Sequence, residues 1–155
     1  MVHSFSATED AELKDVIMAG GFGTRLRPLT NSAPKPMIPM ANKPVMAHII
    51  ELLRAHGITD LVVLLHFQPE LIENAFGDGS ALGVRITYVT ATDDFGTAGA
   101  VKNAEAHLRE PFLVISGDLL TDFDLTQAAA AHRASGAKLT IVLTRVENPL
   151  QYGVV

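Results

Sequence analysis

No cysteine occurs in the sequence. That excludes a disulfide framework, a thiolate metal site and a thiol nucleophile, and it makes a reducing cytoplasm the default compartment. Basic residues are also scarce, with 12 Lys and Arg against 17 Asp and Glu and a formal net charge of -5. A general nucleic-acid binder needs a basic face, so this balance argues against one and leaves any phosphate binding to local basic residues. No apolar run reaches the roughly 20 residues of a membrane span, and nothing repeats internally. The opening MVHSFSATEDAELKD has neither a basic n-region nor an apolar h-region, so it is not a secretory signal. Residues 1–14 read as a flexible polar arm before a domain over 15–155. His3, His48, His56, His66, His107 and His132 lack metal-ligand spacing and read as ordinary core or surface residues.

What is present suits one core. The chain has 155 residues and is 48% apolar, a size at which about 70% of the unfolded surface can be buried. Short aliphatic runs alternate with helical patterns. Asp15 to Met18 reads as a buried strand, and Val45, Ile49, Leu52 and Leu53 recur at helical spacing between Asn42-Pro44 and Gly57, which start and stop a helix. Leu61 to Leu65 is a continuous aliphatic run, as expected of a central parallel strand. A helix over Pro69 to Phe76, a strand over Val84 to Val89, a helix over Ala98 to Leu108 and a strand over Phe112 to Ile115 follow. Leu125 to Ala134, capped by Asp124 or Thr126 and stopped by Gly136, precedes a fifth strand at Leu139 to Val146. The order predicts an α/β, Rossmann-like, doubly wound parallel sheet with right-handed crossovers.

The most informative stretch is AGGFGTRLRPLTNSAPK, Ala19 to Lys35. It follows a strand, where open α/β sheets place ligands, and its glycines let backbone approach another molecule closely. Exposed N–H groups with the guanidinium forks of Arg25 and Arg27 suit phosphates. It is not a P-loop, since no Gly-Lys-Ser/Thr closes it, and Leu26 stands where a dinucleotide fingerprint needs its third glycine. Pro28, Pro34 and Pro36 stiffen the chain around Lys35, so the sequence predicts its ammonium opposite Arg25 across a triphosphate. Phe95-Gly96-Thr97-Ala98-Gly99 offers small residues at a strand-to-helix turn, where a flat base packs. Asp93 or Asp94 is placed to accept hydrogen bonds from a guanine edge. Ser116-Gly117-Asp118 ends a strand with a carboxylate suited to Mg²⁺ that keeps water and phosphate as its other ligands. Asp122 reads as solvated and Asp124 as a helix cap.

GGFGTRLRPLT followed by PKPMIPMANKP resembles the signature of the sugar-1-phosphate nucleotidyltransferases, and most of all the mannose-1-phosphate guanylyltransferase branch. The similarity runs from about Val16 to the last residue. It implies nucleotidyl transfer from a nucleoside triphosphate, GTP by preference, to a sugar 1-phosphate such as mannose 1-phosphate, with pyrophosphate released and Mg²⁺ as cofactor. Other sugar 1-phosphates, glucose or heptose, are the nearest alternatives, and a non-catalytic nucleotide-binding module is the non-enzyme one. By this resemblance Arg25, Lys35 and Asp118 are the catalytic set, with Asp118 on the metal. Ala19, Gly20, Gly21, Gly23, Thr24, Asp93, Gly96 and Thr97 hold the nucleotide, and Gly153 in Tyr152-Gly153-Val154 borders the sugar. Ala91 stands where many guanylyltransferases carry Glu. Relatives continue with a Glu-Lys-Pro element and a second metal-binding aspartate after the Y-G-V segment, so the expectation is nucleotide binding with poor turnover or none, and self-association through exposed strand edges.

Overall fold

The computed structural model describes residues 13–93 and 95–146. Asp94 and the segment holding Gly153 lie outside the described residues. The chain divides into two compact units, Met1–Asp122 and Phe123–Val155, where the sequence reading has one domain.

The first unit holds a four-stranded parallel sheet: β1 (Lys14–Met18), β2 (Asp60–Leu65), β3 (Arg85–Thr90) and β4 (Phe112–Ser116), in the order β3-β2-β1-β4. β1 thus begins one residue inside the expected arm. All of β2 is buried, which is why its run carries no polar alternation. Helices α1 (Val45–Ala55), α2 (Pro69–Phe76) and α3 (Gly96–Asn103) link the strands. The right-handed connection that parallel strands follow puts α1 and α2 on one face and α3 on the other. The packing on the α3 face agrees, with Ala100, Val101, Ala104 and Leu108 against Val16, Val62 and Leu64. On α1 the buried residues Met46, Ile49, Ile50 and Leu53 form one stripe, each such side chain contributing about 1.5–3 kcal/mol on burial.

The chain runs from β1 outward to β3 and then returns to the far side of β1, so the winding reverses between β1 and β4. In an open α/β sheet this reversal leaves a crevice at the strand C-termini. The opposite ends are pinned by ions: Asp60 takes Lys14 Nζ at 3.1 Å and Arg85 Nη2 at 2.9 Å. Hydrogen bonding from Arg85 outweighs burial and, with Lys14, holds the Asp60 carboxyl below its ordinary range.

The second unit contains α4 (Leu125–Ser135). Asp124 caps it, its Oδ1 accepting from the Gln127 N–H at 2.9 Å, and Gly136 ends it at φ 61°. The fifth strand expected at Leu139 to Val146 does not form. These residues are irregular, and Leu139 and Leu143 are 75% and 61% exposed. A strand exists through hydrogen bonds to a neighbour, and no described strand pairs with this stretch; β-branched composition alone does not supply one. Among the described residues, no helix is long and apolar enough to cross a membrane.

Candidate active site

The C-terminal ends of all four strands open onto one cleft of about 300 Å³. From the end of β1 come Ala19, Gly20, Gly21 and Phe22; from β2, His66; from β3 and the start of α3, Ala91, Asp93, Gly96 and Thr97; from β4, Ser116 and Asp118; and from the loop after β1, Lys35.

The loop is shaped by contacts that only glycine permits. At Gly23 the backbone is left-handed, φ 62°, and a Cβ there would lie 2.8 Å from Thr30 Cγ2 and 3.2 Å from Lys35 Cβ. Thr30, only 3% exposed, donates its hydroxyl to the Gly23 carbonyl at 2.8 Å. The bond folds residues 23–30 back on themselves and seats the loop against the stem of Lys35. Gly117 serves the sheet itself: a Cβ there would stand 2.9 Å from the Met18 carbonyl oxygen, and the Gly117 N–H donates to that oxygen at 2.8 Å. The close approach that Gly117 permits is therefore to β1.

Lys35 and Asp118 form an ion pair, and the Ser116 hydroxyl donates to the second carboxylate oxygen. Burial pushes the Asp118 carboxyl up, but the hydrogen bonds from Lys35 and Ser116 outweigh it and hold the group below the usual carboxylate range. The cleft therefore presents an ionised carboxylate beside an ammonium. Lys35 is the one Lys or Arg on its wall among the described residues. Arg25 lies in the 3₁₀ turn Thr24–Leu26 and is exposed. Neither it, Gly23 nor Thr24 lines the cleft, and within the cleft Lys35 faces Asp118. Among the described residues no three His, Asp or Glu gather as a metal cage.

That pair sets what mutation of Lys35 should do. Lys35→Ala leaves a partly buried carboxylate without its cation, and a loss of about 1 kcal/mol is expected, whereas exposed Arg25→Ala should stay within ~0.5 kcal/mol. Thermal unfolding of both variants decides the matter; equal melting temperatures would mean that the pair adds nothing to stability.

Phe22, His66, Asn103 and Ser116 also line the cleft; Phe22 and Ser116 sit inside motifs quoted above without a role of their own, and no motif flags His66 or Asn103. Two were legible in principle. Asn103 is seven residues, about two helical turns, after Gly96, hence on the same face of α3, and His66 directly follows a buried parallel strand, the position ligands favour.

A family model described as nucleotidyl transferase matches residues 14–155. The mannose-1-phosphate guanyltransferase of Eremothecium gossypii is 42% identical over 147 residues, covering 92% of this chain and 41% of that protein. The mannose-1-phosphate guanylyltransferase of Mycobacterium tuberculosis is 43% identical over 141 residues, 90% of this chain and 39% of that one. Among solved structures, HddC from Yersinia pseudotuberculosis complexed with GMP-PN is 27% identical with a TM-score of 0.70, over 77% of this chain and 54% of that chain. A Bacillus anthracis structure solved in complex with a sucrose is 27% identical with a TM-score of 0.74, over 79% of this chain and 50% of that chain. The chain spans less than half the length of these curated relatives.

Proposed function

The chain belongs to the nucleotidyl transferase family, and on that premise we propose that it takes part in transferring a nucleotidyl group from a nucleoside triphosphate, GTP by preference, to a sugar 1-phosphate, mannose 1-phosphate by preference, in the cytoplasm. The observation that carries this reading is the meeting of the glycine loop, Lys35 and Asp118 in one cleft at the strand C-termini.

A sugar 1-phosphate is largely a dianion at neutral pH, since the second pKa of a phosphate monoester is about 6. Its oxygen needs no protein base. The oxygen bonds to the α-phosphorus as the bond to the bridging oxygen breaks, and the electron pair leaves with pyrophosphate. Positioning and charge stabilisation then supply the catalysis. Gly20, Gly21 and Thr24 hold the triphosphate, Lys35 exchanges its carboxylate partner for the α-phosphate and the incoming sugar phosphate, and Arg25 meets the departing pyrophosphate. Gly96 and Thr97 border the base, and Asp93 accepts from its donor edge.

The donor set suits Mg²⁺. Asp118 is an ionised hard-oxygen ligand on an open wall, and a cation with one protein carboxylate completes its shell with water and phosphate oxygens. Bound there through Asp118, Mg²⁺ would neutralise charge building on the phosphates.

The test is pyrophosphate release on mixing several nucleoside triphosphates with several sugar 1-phosphates. Formation of a nucleotide sugar from GTP and mannose 1-phosphate above all other pairs is the expected result. Release with a different pair in preference, or release without a sugar phosphate, rejects it. For the base, direct titration should give tighter binding of GTP than of UTP or dTTP, whose ring N–H lies between two carbonyls and offers a carboxylate less. The relatives named for guanylyl transfer and the neighbour solved with GMP-PN support this preference, and equal affinity for the three would refute it.

A further inference from the structure

We propose that His66 is a positioning residue that locks the base side of the cleft to its phosphate side. This rests on the nucleotide reading above.

In the sheet β2 lies between β1 and β3, so the glycine loop after β1 and the loop after β3 are not neighbours through the sheet. His66, the first residue after β2, touches both. Its ring Nδ1 lies 3.1 Å from the Ala91 carbonyl oxygen. A carbonyl only accepts, so Nδ1 carries the hydrogen and donates. The Ala91 N–H in turn donates to the Leu65 carbonyl at 2.9 Å. Ala91 is thereby fixed on both of its backbone polar groups by two successive residues at the end of β2, beside the cleft wall. On the other side the imidazole meets the Phe22 ring edge to face, centroids 5.4 Å apart and planes at 89°, and Phe22 also packs on Phe67 at 5.3 Å. Gly20 sits on the same residue, since a Cβ at 20 would come within 3.1 Å of His66 Cβ.

One side chain thus sets the distance between the backbone that takes phosphates and the loop that takes the base. A nucleotide spanning both gains from that fixed spacing, because the loops need not be ordered on binding. A ligand that touches only the phosphate side gains nothing.

The experiment uses the 155-residue chain, titrated with GTP and with inorganic tripolyphosphate, as wild type and as His66→Asn, His66→Leu and Phe22→Leu. The asparagine amide places an N–H near the position of Nδ1, whereas leucine, equally uncharged, offers the Ala91 carbonyl no donor. His66→Leu should bind GTP about tenfold more weakly, the scale of a hydrogen bond lost to a site that stays polar, with tripolyphosphate affinity unchanged. His66→Asn should recover most of the loss, and Phe22→Leu should show a smaller loss, again for GTP alone. Equal GTP affinity for wild type and His66→Leu overturns the inference while leaving the nucleotide site standing. Equal losses for both ligands, or a loss that asparagine does not recover, overturn it too by showing a general loosening. A wild-type chain that binds tripolyphosphate but no nucleoside triphosphate more tightly overturns the nucleotide reading, and this inference with it.

Discussion

Asp118→Asn is expected to abolish the Mg²⁺ dependence of nucleotide binding, and to weaken binding in the presence of Mg²⁺ by at least about 100-fold, beyond the 10–100-fold typical of losing a group that only supports a ligand. Asparagine keeps the size of the side chain and an oxygen that accepts from Ser116, but it offers a metal no charge. It also frees Lys35, whose ammonium is paired with that carboxylate. Without Mg²⁺, therefore, the variant should bind the triphosphate no worse than wild type, because an unpaired ammonium is directed at phosphate. Titrations with and without Mg²⁺ in both proteins separate the two effects. An unchanged Mg²⁺ response in the variant would move the cation elsewhere, with Asp122 the next carboxylate along the chain.

The largest gain in stability is expected from a residue far from this chemistry. Asp15, in the middle of the sheet on β1, is fully buried, and neither of its carboxylate oxygens has a hydrogen-bond partner among the described residues. Burial pushes its carboxyl well above the ordinary range, against a smaller opposing effect of the Val16 N–H. In the unfolded chain an aspartate releases its proton near pH 3.9. Above that pH the unfolded chain binds fewer protons than the folded one, so stability falls as pH rises until the raised folded value is passed. Asp15→Val removes the liability and suits a strand. It should stabilise the protein by about 1–3 kcal/mol at neutral pH, the cost of an unsatisfied buried polar group, or roughly 2–4 °C in Tm per kcal/mol at this size. Melting curves for both proteins between pH 4 and pH 8 provide the check. A gap in Tm that widens with pH is expected, and a gap that is flat or closes would mean Asp15 is charged and partnered in the fold.

How legible this was from the sequence depended on how local each signal was. Leu61 to Leu65 announces β2 because burial on both faces removes every polar position, and α1 is written in the spacing of Ile49 and Leu53. The helix after β3 starts at Gly96 and gives way at Ala104 to a 3₁₀ turn, where the alanine-rich run suggested one helix from Ala98 to Leu108. The competing fact there is the tertiary fit of Ala104 against Val16 and Val62, which no propensity records. Leu139 to Val146 failed for the opposite reason: its composition is that of a strand, but pairing is a property of two segments. In the site, the glycine loop and Gly117-Asp118 were readable as motifs at strand ends. The pairing of Lys35 with Asp118 was not, since the residues are far apart in sequence and no spacing rule joins them. His66 was set aside among scattered histidines because its partners lie on two other loops.

The sheet order has one more consequence, which concerns chain entropy. Asp60 pairs with Arg85 and Lys14 with Asp60, but the strand that delivers Asp118 joins by pairing Lys14 with Phe112. That is the least local contact of the four strands, so the greatest loop-closure cost falls on it. The carboxylate and the glycine loop therefore become neighbours only through the longest excursion of the chain, and every residue from α1 to α3 lies inside the loop that this one pairing closes.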